Sequence, residues 1–269
     1  SGVFFGKSRE NNTIFELRYG GAHRRLPHPF QYQITLETQQ YRDVFDRPAS
    51  YLRGTAEWKQ IFYYKQKSKI SLRFFAGYFL QNTHRNRDIQ TPYNHLTLNP
   101  QGFNDYRFDH LFFARSGADN FFGRQVSQSD GGFKGAFGAA FARSAGNSNN
   151  FVFAVNLRAD LPKRLPLGLP IKPYFDFGYF DDATPLGEGR PSSEQLLWSG
   201  GLALEFFKGG LEFYFPLAHS KTLKNLYCEQ GGGSNDSALF CGGNYWKMIS
   251  WSMRLRFVEP MNLVERLAR

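Results

Sequence analysis

The chain has 269 residues, with 33 Lys and Arg against 23 Asp and Glu for a formal net charge of +10, together with 29 Phe, 14 Tyr, 4 Trp and 2 Cys. The aromatic load excludes a disordered chain, and two cysteines exclude a disulfide-dense scaffold or a multi-finger zinc protein. No stretch approaches the roughly 20 apolar residues of a membrane-spanning helix, and the positive charges stand singly among Asp and Glu, with no basic helix face, so nucleic-acid binding is not expected.

In chain order, the dominant signal is two-residue alternation. A short run at about 2–7 precedes 13–20, where Phe15, Leu17 and Tyr19 alternate with Glu16 and Arg18. In 30–43, Phe30, Tyr32, Ile34 and Leu36 share one face, with Gln31, Gln33, Thr35 and Glu37 on the other. Over 51–65, Leu52, Trp58, Phe62 and Tyr64 oppose Arg53, Glu57, Lys59 and Lys65. Over 69–81, Ile70, Leu72, Phe74, Ala76 and Tyr78 oppose Ser71, Arg73 and Gly77. Runs at 106–116 and 132–143 are counted as strands too. In 150–161, Phe151, Phe153, Val155 and Leu157 stand against Asn156, Arg158 and Asp160. Strands at 171–181 and 196–207 carry Asp176 and Glu205 on the polar face. In 210–219, Leu211, Phe213, Phe215 and Leu217 oppose Glu212 and Tyr214. In 246–257, Ile249, Trp251, Met253, Leu255 and Phe257 oppose Ser250, Ser252, Arg254 and Arg256.

This pattern predicts an all-β chain, a transmembrane antiparallel up-and-down β-barrel of about 12 strands, or about 14 if Gly117–Asp130 hides a further hairpin. The barrel would occupy residues 1–258, leaving 259–269 as a short periplasmic tail with some helical character. Strands of about 10 residues exceed the usual soluble length. The alternative is a soluble sandwich or lipocalin-like barrel. Two features favour the membrane. The polar face carries full charges strand after strand, so Arg18, Glu37, Glu57, Arg73, Arg158, Asp176, Glu205, Glu212, Arg254 and Arg256 are expected in the lumen. The apolar face is rich in aromatic residues and Leu, so Phe30, Tyr32, Ile34, Leu36, Phe151, Phe153, Phe213, Phe215, Trp251 and Leu255 are expected to face lipid.

Lipid cannot satisfy an open strand edge, so the first and last strands are expected to pair. Inward Phe75, Phe79 and Tyr214 would narrow the lumen. Its charges read either as ion pairs that stiffen an occluded barrel or as a net-positive channel that favours anions. Short turns at Lys65–Lys69 and Lys208-Gly209 would be periplasmic, and the long segments 82–105, 182–195 and 220–245 external. Gly117–Asp130 does not fit that scheme: it would be a long periplasmic connection, an inward-folded loop or a hidden hairpin.

The second half carries Phe121-Phe122-Gly123-Arg124, Ser127-Gln128-Ser129-Asp130-Gly131-Gly132-Phe133-Lys134, Asn156-Leu157-Arg158-Ala159-Asp160-Leu161-Pro162 and Leu165-Pro166-Leu167. Lys172-Pro173-Tyr174-Phe175-Asp176-Phe177-Gly178, Ser199-Gly200-Gly201-Leu202, Leu211-Glu212-Phe213-Tyr214-Phe215-Pro216-Leu217 and Ile249-Ser250-Trp251 follow. Over about residues 105–260 this order resembles the C-terminal outer-membrane barrel region of Bacteroidota aminopeptidase-N-like metallopeptidase-related proteins. More distantly, it is similar to the surface-antigen-type barrels of outer-membrane assembly and two-partner secretion. The Arg-Gly-Tyr/Phe motif of their inserted loop is missing, Phe122-Gly123-Arg124 being a distant echo, which argues against a translocase.

No enzyme is expected within the chain. A zinc peptidase needs His-Glu-x-x-His on a helix, and the six histidines, His23, His28, His84, His95, His110 and His219, do not form that arrangement. Peptidase activity would lie in a domain before residue 1. Ser250 and Ser252 have no histidine near them in sequence, which argues against a barrel phospholipase. No catalytic, cofactor or metal residue is assigned. Cys228 and Cys241 flank a Gly/Ser/Asn loop, and a disulfide between them would suit an oxidising envelope. The expected location is the bacterial outer membrane, and the expected partners are the lipid bilayer and a periplasmic domain or subunits. The expected role is membrane anchor or scaffold of a larger envelope protein, with a translocation or anion-favouring transport pore as the alternative.

Overall fold

Nine of the alternating runs hydrogen-bond side by side in the computed structural model, which describes residues 13–25, 28–42, 47–65, 68–83, 95–99, 101–102, 105, 107, 109–115, 120–136, 145–161, 170–181, 195–207, 209–231 and 245–254. The elements are β1 (Thr13–His23), β2 (Phe30–Arg42), β3 (Pro48–Lys65), β4 (Ser68–Asn82), β5 (Leu96–Thr97), β6 (Asn147–Ser148), β7 (Phe151–Ala159), β8 (Ile171–Phe180), β9 (Leu196–Phe206), β10 (Leu211–His219), α1 (Lys221–Gly231) and β11 (Ser250–Met253). The sheet runs β1-β2-β3-β4-β7-β8-β9-β10-β11, and β5 and β6 form a separate two-stranded ladder. Every strand pair in both sheets is antiparallel. The chain is therefore all-β in class. No helix among the described residues is long and apolar enough to cross a membrane.

Register converts the alternation of single strands into two continuous faces. One lateral row reads Tyr19, Ile34, Ala56, Ala76, Phe153, Tyr179 and Leu196 across seven strands, all apolar or aromatic. On the opposite face, Arg73, Asn156, Asp176 and Ser199 stand side by side on β4, β7, β8 and β9. The apolar face points outward: Phe15, Leu17, Tyr19, Ile34, Leu36, Phe74, Tyr78, Leu157 and Phe175 are exposed. The other face is turned inward, and side chains from non-neighbouring strands meet across it, as when Arg158 of β7 reaches Glu212 of β10.

Several expectations need correction. The large sheet has nine strands among the described residues, not about 12, and β1 and β11 are its two edges. The segment 2–7 lies outside the described residues. None of the described residues of 106–116 or 132–143 belongs to a strand. They belong instead to one long connection, 83–150, from β4 to β7. The positive φ of Asp130 (41°) and Gly132 (63°) breaks a strand there, because a regular extended run keeps φ negative throughout. Since β4 ends and β7 begins at the same end of the sheet, Gly117–Asp130 is no separate turn at the opposite end; its described residues, 120–130, lie within this connection.

The last strand is shorter than 246–257. A 3-10 turn at Tyr245–Met248 precedes β11. The segment read as a long loop at 220–245 opens with α1. Leu223, Leu226 and Tyr227 recur there at helical spacing and turn toward the core. Ser220 accepts the first helical bond, from the Lys224 N–H at 2.9 Å. The tail 259–269 lies outside the described residues.

Candidate functional site: the inserted connection and the vestibule

The inner face changes character along the strands. Toward the long connections its positions are Tyr41, Tyr51, Phe79, Val152, Phe180 and Leu197, all buried. Leu96, Leu98 and Phe133 of the β4–β7 connection fill the space between them and are themselves fully buried. Two strand glycines permit that approach: a Cβ on Gly77 would stand 2.6 Å from Leu96, and one on Gly178 would stand 2.6 Å from Leu98 and 2.8 Å from Phe133. A backbone segment placed here must satisfy its own polar groups. The β5–β6 ladder does so, extended by bonds from Leu98 N–H to Gly146 O (2.8 Å), Gly131 N–H to Thr97 O (3.0 Å) and Phe133 N–H to Leu98 O (2.9 Å). Leu223, Tyr227 and Cys228 of α1 join the same apolar cluster. Burial pushes the Tyr227 and Tyr245 phenols above their usual range.

Beneath the apolar layer lies a polar one. Lys134 of the connection donates its backbone N–H to Asp176 Oδ2 at 2.8 Å, and its ammonium to Oδ1 at 2.7 Å. Both side chains are buried, at 7% and 0% exposure, so the pair holds in a medium where either charge alone is costly. Asn156 donates to the same Oδ1 (2.9 Å) and to the Gly131 carbonyl (3.0 Å). Arg73 joins Glu57, Asn156 Oδ1 (2.9 Å) and the Asp130 carbonyl. Gln128 reaches Glu212 (3.1 Å) and Tyr214 (3.0 Å) from the connection. These bonds join the strands to the inserted segment or to one another.

Nearer the tight turns the space is not filled. A cavity of about 990 Å³ lies there, walled by Arg18, Thr35, Thr55, Lys59, Ser71, Arg158 and Ser252 of the strands, by Arg254 just after β11 and by Asp105, Arg107 and His110 of the connection. This is the upper range of ligand-sized pockets.

The described residues among those expected in the lumen are engaged as follows. Glu37 is buried, with Arg53 and Arg107 each at 2.9 Å and the Tyr51 hydroxyl at 2.5 Å. Glu57 takes Arg73 and Lys59. Arg158 forks onto both Glu212 oxygens at 2.9 Å and reaches Glu205 at 2.8 Å, and Glu205 also takes Lys172 at 2.7 Å. Arg18 pairs with Glu16 on the cavity wall, half-exposed. Arg254 lines the cavity, and Arg256 lies outside the described residues. Phe75, Phe79 and Tyr214 are buried on the inner side.

No protein-family model matches the chain, and neither a curated protein nor a solved structure does.

Of the residues expected to face lipid, Ile34 and Leu36 are exposed, and Phe30, Tyr32, Phe151, Phe153, Phe213 and Phe215 are half-buried on the outer face. Leu255 lies outside the described residues. Trp251 requires a correction. Its register, opposite Phe213, is that of the outer face, yet it is 4% exposed. Phe121 stacks on it (centroids 5.5 Å apart, planes at 8°), and its indole N–H donates to the Phe121 carbonyl at 2.8 Å. Cys228 is fully buried, and Cys241 lies outside the described residues.

Sequence reasoning placed Asn156 on the polar face but missed Lys134, Gln128 and Arg107 as members of the inner network. The signal was present for Lys134: a single cation set among Gly131, Gly132 and Gly135 suits a turn better than a strand. Arg107 carries no such mark. It enters only because the connection brings it beside Glu16 and Glu37. Among the described residues no cluster of three or more His, Cys, Asp and Glu is placed to hold a metal. Ser250 donates to the Lys134 carbonyl and Ser252 pairs with Tyr214 of β10, so both hydroxyls are engaged in hydrogen bonds.

Proposed function

We propose that the chain is an outer-membrane β-barrel whose lumen is occluded by its own β4–β7 connection, and that it serves as the membrane anchor or scaffold of a larger envelope protein. The observation that carries this reading is the connection itself: buried Leu96, Leu98, Phe133 and Lys134 occupy the inner side where a transport pathway would run. The outward aromatic and aliphatic face supports the membrane assignment. Soluble monomers rarely leave a contiguous apolar patch beyond a few hundred Å², and here exposed large apolar residues recur from β1 to β10. The tight turns after β3 and β9 suit the periplasmic side, and the long segments at the other end suit the exterior. A disulfide between Cys228 and Cys241 belongs to the same proposal.

One observation favours the second reading, a surface-antigen-type translocation pore. The Arg-Gly-Tyr/Phe motif of those barrels is missing, but Lys134-Gly135 sets a cation before glycine on the inserted connection, and Lys134 meets Asp176 on the inner side. Planar-bilayer recording separates the two. Anchoring expects no steady conductance from the wild-type chain. A steady open conductance that changes when Arg18 or Arg254 is neutralised overturns it in favour of a pore. Extraction without detergent, with no heat-modifiable gel migration, would defeat both.

A further inference from the structure

The β4–β7 connection does not stay on the inner side. Gln125 pairs in parallel with Trp251 at the free edge of β11, and the Val126 N–H donates to the Trp251 carbonyl at 2.8 Å. At the other edge of the sheet, Arg107 of the same connection binds Glu16 of β1. The connection thus touches both edges of the described sheet. Gln125 ties its strands of chain together, accepting from the Phe113 N–H (2.9 Å) and donating to the Leu111 carbonyl (2.7 Å).

At this seam the connection turns apolar side chains outward. Phe121 covers Trp251, an outer-face residue, so it lies outside the sheet surface rather than within it. Phe122 and Phe113 pack around it, with ring centroids 5.7 Å and 6.2 Å apart in the chain Phe121, Phe122, Phe113. Phe113, Phe121 and Phe122 are 58%, 43% and 52% exposed. Arg124 lays its guanidinium over the Phe121 ring at 5.9 Å, the disposition of a side chain whose apolar stem lies on an apolar surface.

We infer that residues 111–115 and 120–126 form a stave in the seam beside β11, and that Phe113 and Phe122 meet lipid acyl chains as part of the membrane-facing surface. The occupant is lipid because the aromatic cluster continues, through Trp251 and its neighbour Phe213, the outward apolar face of the strands. The inference rests on the membrane reading above. It makes one connection serve two purposes: occlusion of the inner side and completion of the outer surface.

The test is photo-cross-linking in vesicles of phosphatidylethanolamine and phosphatidylglycerol, with p-benzoylphenylalanine replacing Phe113, Phe122 or, as a reference on β2, Ile34. Folding of each is checked by heat-modifiable migration. Lipid adducts at all three positions, read by mass spectrometry, are the expected result. Lipid adducts at Ile34 with loss of lipid adducts at Phe113 and Phe122, whether they cross-link to peptide or remain unreacted, overturn the inference and leave the barrel intact. Loss of lipid adducts at Ile34 as well overturns the membrane reading and this inference with it.

Discussion

Toward the long connections, the inner positions of β2, β3, β4, β7 and β8 are Tyr41, Tyr51, Phe79, Val152 and Phe180, closed over by Leu96, Leu98 and Phe133. Toward the tight turns β1 to β4 and β7 present Arg18, Thr35, Lys59, Ser71 and Arg158 to a cavity of about 990 Å³. The difference teaches what an inward position means in a sheet of this kind. Period-two alternation says that a side chain leaves the outer face, but not whether protein or water receives it. Where the connection brings Leu96, Leu98 and Phe133, apolar residues are stabilised by packing. Where it brings Asp105, Arg107 and His110, charges remain hydrated or paired. The polar layer of Arg73, Asn156, Asp176 and Lys134 is the boundary between the two regimes, and it latches the connection in place.

The sharpest way to break this contrast is at the boundary. Asp176→Ala leaves the Lys134 ammonium buried without its carboxylate, and removal of one partner of such a pair costs about 3–5 kcal/mol. A fall in the urea midpoint of the folded, heat-modifiable form checks this. Replacing both partners, Lys134→Met with Asp176→Leu, should recover most of the loss. Within the filled end, Leu98→Ala removes packing against Gly178 and Phe133 and should cost about 2–5 kcal/mol by the same assay. On the outer face, Ile34→Arg should cost about 2–4 kcal/mol near mid-membrane, seen as reduced folding into vesicles. If detergent-free protein tolerated it, the outward face would not be a membrane face. In the hollow end, Arg18→Ala removes only a half-exposed pair with Glu16 and should cost about 0–1 kcal/mol, with an effect that fades as salt is raised. The smallest change concerns mass alone: without reductant, mass spectrometry should find Cys228 and Cys241 joined, and free thiols in protein taken from the envelope would refute the disulfide.

The all-β class and the two faces of each regular strand were legible because alternation is a local consequence of the pleat, so Phe15, Leu17 and Tyr19, or Ile70, Leu72 and Phe74, declare their side without reference to the rest of the chain. The same pattern misleads where it is weak. Segments 106–116 and 132–143 have enough Phe to resemble strands, but the glycines around Phe133 and Lys134 let that stretch turn inward instead. The i, i+3, i+4 spacing of Leu223, Leu226 and Tyr227 was readable as a helix and was obscured by the polar residues between them.

The amino-acid sequence by itself determined that this protein is an antiparallel β structure with an apolar and a polar side, since side-chain period and backbone pleat are properties of neighbouring residues. Only the tertiary structure decided that the β4–β7 connection enters the inner side, that Lys134 meets Asp176, and that Trp251 is covered by Phe121. Those contacts join residues far apart in the chain, and they depend on how the sheet's curvature, its facing glycines and the hydrogen-bonding needs of a buried backbone fit together, which no local pattern encodes.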